Sequence, residues 1–367
     1  MKVALVHDYL REYGGAERVV EALHGIFPEA PLYTAYYNPR GLGSHRERFK
    51  NWDIRTSWMQ KVPFINTLLS PFRVFAPMTF ESFDFKDYDV VISSSAIYFA
   101  DAVITGPKTL HLAYIHTPPR YLYGIATSFE RKKHSWLVNI GVALMNHMLR
   151  IYDFQISQRP NILIANSQTV AERIKKFYKR EAVIINPPVD TYTLNTVNNI
   201  KGNYYLSICR LWKNKNVDIV IRACKELNVP LKIVGVGPEF ENLKKIAGEN
   251  IELLGEVTDE EKTKLYAEAK ALIVAAAEED FGITPIESMA AGTPVIALKS
   301  GGFIETVISG KTGEFFKEAT VESLVEILKS FDPKKYKAEE CMKQAEKFSK
   351  ERFQKEILEL IEKSIRT

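Results

Sequence analysis

Glu279 and Glu287 stand eight residues apart in the stretch Glu278–Gly292, EEDFGITPIESMAAG, and two carboxylates at that spacing can grip a hydroxyl-rich ligand. Each carboxylate accepts a pair of hydrogen bonds from vicinal hydroxyls, so one could hold a ribose and the other a hexose, with a diphosphate between them. Two cations complement the carboxylates: Arg210 ends an apolar run, and Lys215 follows five residues later. Fixed positive charge at such a place neutralises a diphosphate as it becomes a leaving group.

The elements that must position these groups are legible around them. Ala271–Ala277 is apolar throughout, as expected of a buried strand in a parallel sheet. Thr284 suits a helix N-cap and Pro285 the first helical position, while Ile286, Met289 and Ala290 supply an apolar face. Gly292 ends that helix, and Thr293–Leu298 returns as a further strand. The resulting βαβ unit places Phe281, Gly282 and Ile283 at a helix start, where unpaired N–H groups and the helix dipole attract anions. Glu287 admits a second reading, because Thr284 and Glu287 also have the spacing of a capping box.

Other candidates follow the chain. Lys2–His7 is a short apolar strand, followed by a loop carrying Gly14 and Gly15 and a helix from about Ala16 with Val19, Val20 and Leu23 on its core side. The glycine pair either makes the turn alone or lets the backbone approach a ligand closely. His7 and Asp8, at the same strand end, face either a ligand or solvent. Val90–Ser94 and His111–His116 are strand-like, and Thr117-Pro118-Pro119 stops regular structure just after His116. His116 is therefore either a structural histidine or a polar contact at an exposed strand end, with Asp101 and Arg120 as weaker candidates. Further on, Gly235-Val236-Gly237 makes a tight turn after the strand Leu231–Val234, and Gly255-Glu256-Val257 follows another strand. No G-x-G-x-x-G dinucleotide fingerprint is present near the amino terminus.

A chain of 367 residues exceeds one ordinary core, so two domains are expected, and 46% hydrophobic with 26% charged residues suits a globular protein. The opening residues read directly as a strand, so no secretory signal is expected, and no apolar run is long enough to span a bilayer. Cys209, Cys224 and Cys341 have no metal-ligand spacing and are expected to be buried thiols in a reducing cytosol. Residues 1–196 hold 23 Lys and Arg against 17 Asp and Glu, a net +6, against −2 for the remainder. A basic first half suggests an anionic partner; the absence of a nucleic-acid module argues against nucleic acid. Trp52–Phe85 and Arg131–Tyr152 both crowd aromatic and aliphatic residues beside Lys and Arg. That pattern fits core helices with charged outer faces or segments lying on anionic lipid.

The set EDFGITPIESMAAGTPVIA, with Gly14-Gly15-Ala16-Glu17, His116, Arg210, Lys215, Gly235-Val236-Gly237-Pro238 and Gly301-Gly302-Phe303-Ile304-Glu305, resembles retaining glycosyltransferases of the GT-B fold, family 4. The resemblance covers most of the chain in the family's order. It implies two doubly wound Rossmann-like α/β domains facing across a cleft. Residues 1–195 would form the acceptor side, residues 196–349 the donor-binding side, and a helix over 350–367 would cross back onto the first domain, with a linker at Thr191–Asn203. It also implies that a hexose moves from a nucleoside diphosphate sugar to a glycan or lipid-linked acceptor with retention, through same-face attack in which a donor phosphate oxygen takes the acceptor's proton.

By the same resemblance, His116 contacts the sugar, and Arg210 and Lys215 hold the diphosphate beside Gly14 and Gly15. Glu279 binds sugar hydroxyls and Glu287 the ribose, while Gly235, Val257, Phe281, Gly282 and Ile283 line the donor. HDYLREYGGAERV and YIHTPPRYLY look most like mannosyltransferases of surface-polysaccharide assembly, which makes GDP-mannose the favoured donor and the cytoplasm, at the inner face of the membrane, the expected location. Asp87-Tyr88-Asp89 has the letters of a D-x-D motif but precedes its strand, so metal independence is expected and no cofactor is implied. Rival readings are a GT-B nucleotide-sugar 2-epimerase and a non-catalytic nucleotide-sugar-binding protein.

Overall fold

A computed structural model describes residues 1–125, 135–194 and 202–366. The chain divides into two compact units, one from Met1–Ile125, Lys132–Pro188 and Phe353–Thr367, the other from Val189–Arg352. Each is a parallel sheet with helices, the Rossmann-like arrangement expected from the strand-helix succession. Of the expected linker, residues 195–201 lie outside the described residues, as does the Arg131–His134 cluster.

The first unit contains β1 (Val3–His7), β2 (Leu32–Thr34), β3 (Ile54–Thr56), β4 (Val90–Ser95), β5 (Leu110–Ile115), β6 (Ile162–Ala165) and β7 (Val183–Ile184). They pair in the order β3-β2-β1-β4-β5-β6-β7, every pairing parallel. β1 and β4 are buried at every position, which is why their sequences are continuous apolar or small runs rather than alternating ones. The helix Gly15–Ile26 buries Val19, Val20 and Leu23 in the same apolar cluster as Leu5, Ile92 and Tyr114. Phe353, Ile357 and Ile361, one turn apart on the helix Lys350–Arg366, complete that cluster, the Phe353 ring lying edge-on to Tyr114 at 6.1 Å.

The second unit contains β8 (Tyr205–Ile208), β9 (Leu231–Val234), β10 (Ile251–Gly255), β11 (Leu272–Val274), β12 (Val295–Leu298) and β13 (Gly313–Phe316). Their order is β10-β9-β8-β11-β12-β13, again all parallel. In each sheet one strand, β1 or β8, has its sequence successor on one side and a later strand, β4 or β11, on the other. The winding direction reverses at those two places, where open α/β sheets leave a crevice at the carboxyl ends of the strands.

Two expectations about surface placement change. His7 and Asp8 are not solvated loop residues: both are buried, at 2% and 3% exposure. Asp8 Oδ2 accepts the N–H groups of Ala96, Ile97 and Tyr98 at 2.7–2.9 Å, and Oδ1 accepts that of Ala100 at 2.9 Å. One carboxylate thus organises the loop leaving β4. The aromatic stretch Trp52–Phe85 is divided. Met59, Ile65, Leu69, Phe80 and Phe85 are buried, while Phe64, Phe75 and Met78 are exposed. The helix Trp136–Ile156 buries Leu149 and Ile156 in its second half, but Val138 to Leu144 are exposed without interruption. Cys224 and Cys341 are buried and Cys209 only half-buried, all three as free thiols.

Replacing Asp8 by Ala leaves four backbone donors without their charged acceptor, and is expected to lower the unfolding free energy by about 3 kcal/mol or more. The shift in urea midpoint between wild type and Asp8→Ala measures it; an unchanged midpoint would show that water satisfies those groups equally well.

Candidate functional site

All the candidate residues of the second unit sit beyond the carboxyl ends of its strands, because every strand runs the same way. Arg210 follows β8, Gly235 follows β9, Val257 follows β10, and Glu279 with the Phe281-Gly282-Ile283 turn follows β11. Arg210 is exposed, Val257 half-buried and Phe281 buried, its ring edge-on to Phe348 at 5.6 Å. Gly235 has φ +138°, and a Cβ there would lie 1.9 Å from the Cys209 carbonyl oxygen. Only glycine lets that turn press against the backbone that carries Arg210.

The central pair is formed by Lys215 and Glu279. Lys215 ends a short 3-10 turn, Lys213–Lys215, and its Nζ donates to Glu279 Oε2 at 2.6 Å, with both side chains about four-fifths buried. The pair bridges the β8–β11 reversal. Asn216 Nδ2 donates to the Ala275 carbonyl at 2.9 Å, tying the same two loops together. On the far side, Gly302 N–H donates to the Glu279 carbonyl at 2.8 Å, so the Gly301-Gly302 turn supports the loop that carries the carboxylate.

Glu287 and its helix depart from expectation. The helix runs Ile283–Ala290 with Gly282 as N-cap at φ +87°, two residues earlier than Thr284. Gly282 can take a left-handed conformation that Thr cannot adopt cheaply, so the helix begins at the glycine. Thr284 is then inside the first turn and the Thr284–Glu287 capping box does not form. Glu287, 4% exposed, instead receives the Tyr266 hydroxyl at 2.8 Å and Lys262 Nζ at 3.2 Å. Lys262 and Tyr266 project from one face of the helix Asp259–Glu268, four residues apart. Neither was among the sequence candidates, and the only signal was that i, i+4 spacing on a segment already read as helical.

The first unit gathers its candidates at the corresponding reversal, between β1 and β4. Gly14 caps the helix Gly15–Ile26, and its N–H donates to Glu17 Oε2 at 2.8 Å. His116, just after β5, is 8% exposed, and its Nε2 lies 2.8 Å from Ser94 Oγ at the end of β4. Burial, with the neighbouring His7, pushes the His116 imidazolium down to about 3, so the ring is neutral at physiological pH. Asp101, buried and accepting the Ser95 hydroxyl at 2.7 Å, is raised to about 6 by its burial and serves the β4 loop. Among the described residues no group of three or more His, Cys, Asp or Glu side chains is placed to hold a metal ion.

Residues 194–348 match the glycosyl transferases group 1 family. The chain is similar to the sulfoquinovosyl transferase SQD2 of Arabidopsis thaliana, 24% identical over 334 residues, covering 88% of this chain and 61% of that one. It is likewise similar to the alpha-1,3/1,6-mannosyltransferase ALG2 of Rhizomucor pusillus, 26% identical over 383 residues, covering 85% and 80%. It spans only 56% of the length of an uncharacterized glycosyltransferase of Methanocaldococcus jannaschii, to which it is 27% identical over 198 residues. Among solved structures it superposes on Anabaena Alr3699/HepE in complex with UDP with a TM-score of 0.72, at 15% identity over 99% of this chain and 100% of that one. The fold is that of GT-B proteins, and the second unit carries a glycosyl transferases group 1 domain.

Because the Tyr266 hydroxyl is one of the donors that hold the buried Glu287 carboxylate, Tyr266→Phe is expected to cost about 1–2 kcal/mol of stability. Chemical denaturation of the purified variant checks this; no loss would mean that the contact is replaced without cost.

Proposed function

We propose that this chain is a retaining glycosyltransferase that moves a hexose from a nucleoside diphosphate sugar to a glycan or lipid-linked acceptor. The observation that carries the reading is the Lys215–Glu279 pair at the strand-order reversal of a glycosyl transferases group 1 domain, where ligands bind in open α/β sheets. An ammonium has three donors, so Lys215 can keep Glu279 and still meet a phosphate oxygen. Arg210, exposed at the adjacent strand end, brings a second charge. The helix start at Gly282 adds backbone N–H groups. Together they stabilise charge on the departing diphosphate, and that is the main chemical demand of sugar transfer from such a donor.

Glu279 then orients sugar hydroxyls. Glu287, a carboxylate that accepts hydrogen bonds only, is read as the partner of a ribose diol. The reading gives His116 a sugar contact and Gly14 and Gly15 a place beside the diphosphate, and the acceptor's proton passes to a donor phosphate oxygen on the face that the leaving group vacates. Positive side chains supply the charge that a divalent cation supplies elsewhere, so turnover proceeds without metal. The similarity to a mannosyltransferase supports mannose, and with it GDP-mannose, as the first donor to test.

Arg210→Ala, Lys215→Ala and Glu279→Ala are each expected to lower kcat/KM by at least about tenfold, roughly 1.4 kcal/mol of transition-state stabilisation, in assays of nucleoside diphosphate release run in EDTA. Full activity in a folded Lys215→Ala variant removes Lys215 from the clamp. Turnover that EDTA abolishes and magnesium or manganese restores overturns metal independence.

The acceptor side of the reading rests on the helix Trp136–Ile156. From Trp136 to Leu149 it carries no Asp, Glu, Lys or Arg, and Trp136, Ile140, Leu144 and Met148 are each at least half exposed. No described helix is long and apolar enough to cross a membrane. An uncharged apolar stretch, largely exposed over Val138 to Leu144 and preceded in sequence by Arg131, Lys132 and Lys133 in a half of net charge +6, suits the surface of an anionic bilayer. The expected result is co-sedimentation with phosphatidylglycerol vesicles at low salt, lost in a Trp136→Glu, Leu144→Glu variant. Concentration-dependent dimerisation that the same variant abolishes, without vesicle binding, would assign the face to a second copy instead.

A further inference from the structure

The buried polar side chains around His116 form a chain that sugar transfer as described above does not use. His7 Nδ1 lies 3.2 Å from both the carbonyl oxygen and Oγ of Ser94, and His7 Nε2 lies 3.4 Å from Glu17 Oε1. Ser94 Oγ lies 2.8 Å from His116 Nε2, and the other Glu17 oxygen accepts the Gly14 N–H at 2.8 Å. His7, Glu17, Ser94 and His116 are all no more than 8% exposed, so water does not compete for these contacts. The chain crosses the β1–β4 reversal and joins three places: the glycine loop, the end of β4 and the end of β5.

The hydrogen-bond valences order it. A carbonyl and a carboxylate can only accept, so the arrangement that keeps both the Ser94 carbonyl and the Glu17 contact has both nitrogens of His7 donating, an imidazolium paired with ionised Glu17. The groups facing His7 agree: burial alone would depress its pKa, but Glu17, then Asp8 and the Ser94 carbonyl, carry it above 6.5. Ser94 Oγ faces this donor on one side and His116 on the other, so its own proton is directed to His116 Nε2. In that arrangement the remaining proton of the neutral His116 ring resides on Nδ1.

We propose that Glu17, His7 and Ser94 are positioning residues that hold His116 in the Nδ1–H tautomer, with Nε2 as acceptor, and couple its orientation to the Gly14 loop. The catalytic consequence rests on the reading of His116 as a sugar contact; the tautomer itself does not. A ring held this way offers the ligand one donor of fixed direction. It loses that definition if the chain is cut at Ser94, or if His7 loses its charge.

The test is a two-bond proton–nitrogen correlation spectrum of the protein labelled with nitrogen-15 at its seven histidines, assigned with His7→Asn and His116→Asn, and recorded without any sugar nucleotide. The expected wild-type spectrum shows His116 protonated on Nδ1, and His7 remaining an imidazolium above pH 6.5. Ser94→Ala is expected to give mixed His116 tautomers, and Glu17→Gln to lower the pH at which His7 titrates. In turnover assays each is expected to cut kcat about tenfold with the donor KM within about twofold. A wild-type His116 protonated on Nε2, or a tautomer and kcat unchanged in folded Ser94→Ala, overturns the proposal. Should Glu17→Gln not fold, Ser94→Ala, which removes only a hydroxyl, still decides it. The expected tautomer in a protein that turns over no sugar nucleotide would instead overturn the transferase reading and leave the chain intact.

Discussion

A lysine held 2.6 Å from a glutamate across the gap between two strands that are far apart in sequence is the interaction that holds the carboxyl edge of the second unit's sheet together. Parallel strands all end on one edge, and at the place where winding reverses the connecting loops diverge and leave a crevice. Two loops that diverge would ordinarily be free to spread. The Lys215–Glu279 pair, with the Asn216–Ala275 hydrogen bond beside it, ties them together. Most of each side chain is out of water, so the attraction is less screened than at an open surface, and it offsets the cost of partial desolvation. The result is an opposite-charge pair held at one edge before any ligand arrives.

The first unit repeats the principle with other chemistry. Its reversal is bridged by histidines, a serine and a glutamate, all buried, and its β4 loop is held by four N–H groups converging on Asp8. Buried polar groups are costly unless fully paired, so a chain of them persists only when every member has a partner. Pairing therefore does two things at once. It makes burial of the strand ends tolerable, and it fixes which atoms of His7 and His116 carry protons.

Surface and core are sorted by the same rule. Phe80, Phe85, Ile65 and Met59 share one buried cluster, which Met145, Leu149 and Ile156 of the Trp136–Ile156 helix also join, whereas Val138 to Leu144 of that helix are exposed. Both segments are rich in apolar residues. What separates them is where the sheet's apolar faces lie, which composition does not state.

Much of this was legible in the residues. Runs such as VALVH, VVISSS and VIAL announce buried parallel strands because both faces must be apolar or small, and the Val19, Val20, Leu23 spacing announces a helix. β2, β3, β7 and β13 escaped, and they become strands only by pairing with neighbours already in place. The Ile283–Ala290 helix began early because one glycine backbone conformation outweighed a good capping residue. Which residues were charged, apolar or flexible was settled along the chain. Which of them met, Lys215 with Glu279, Glu287 with Lys262 and Tyr266, His7 with Glu17 and Ser94, was settled only by folding, because side-chain hydrogen bonds depend on distances of a few ångströms between segments that local sequence preferences leave independent.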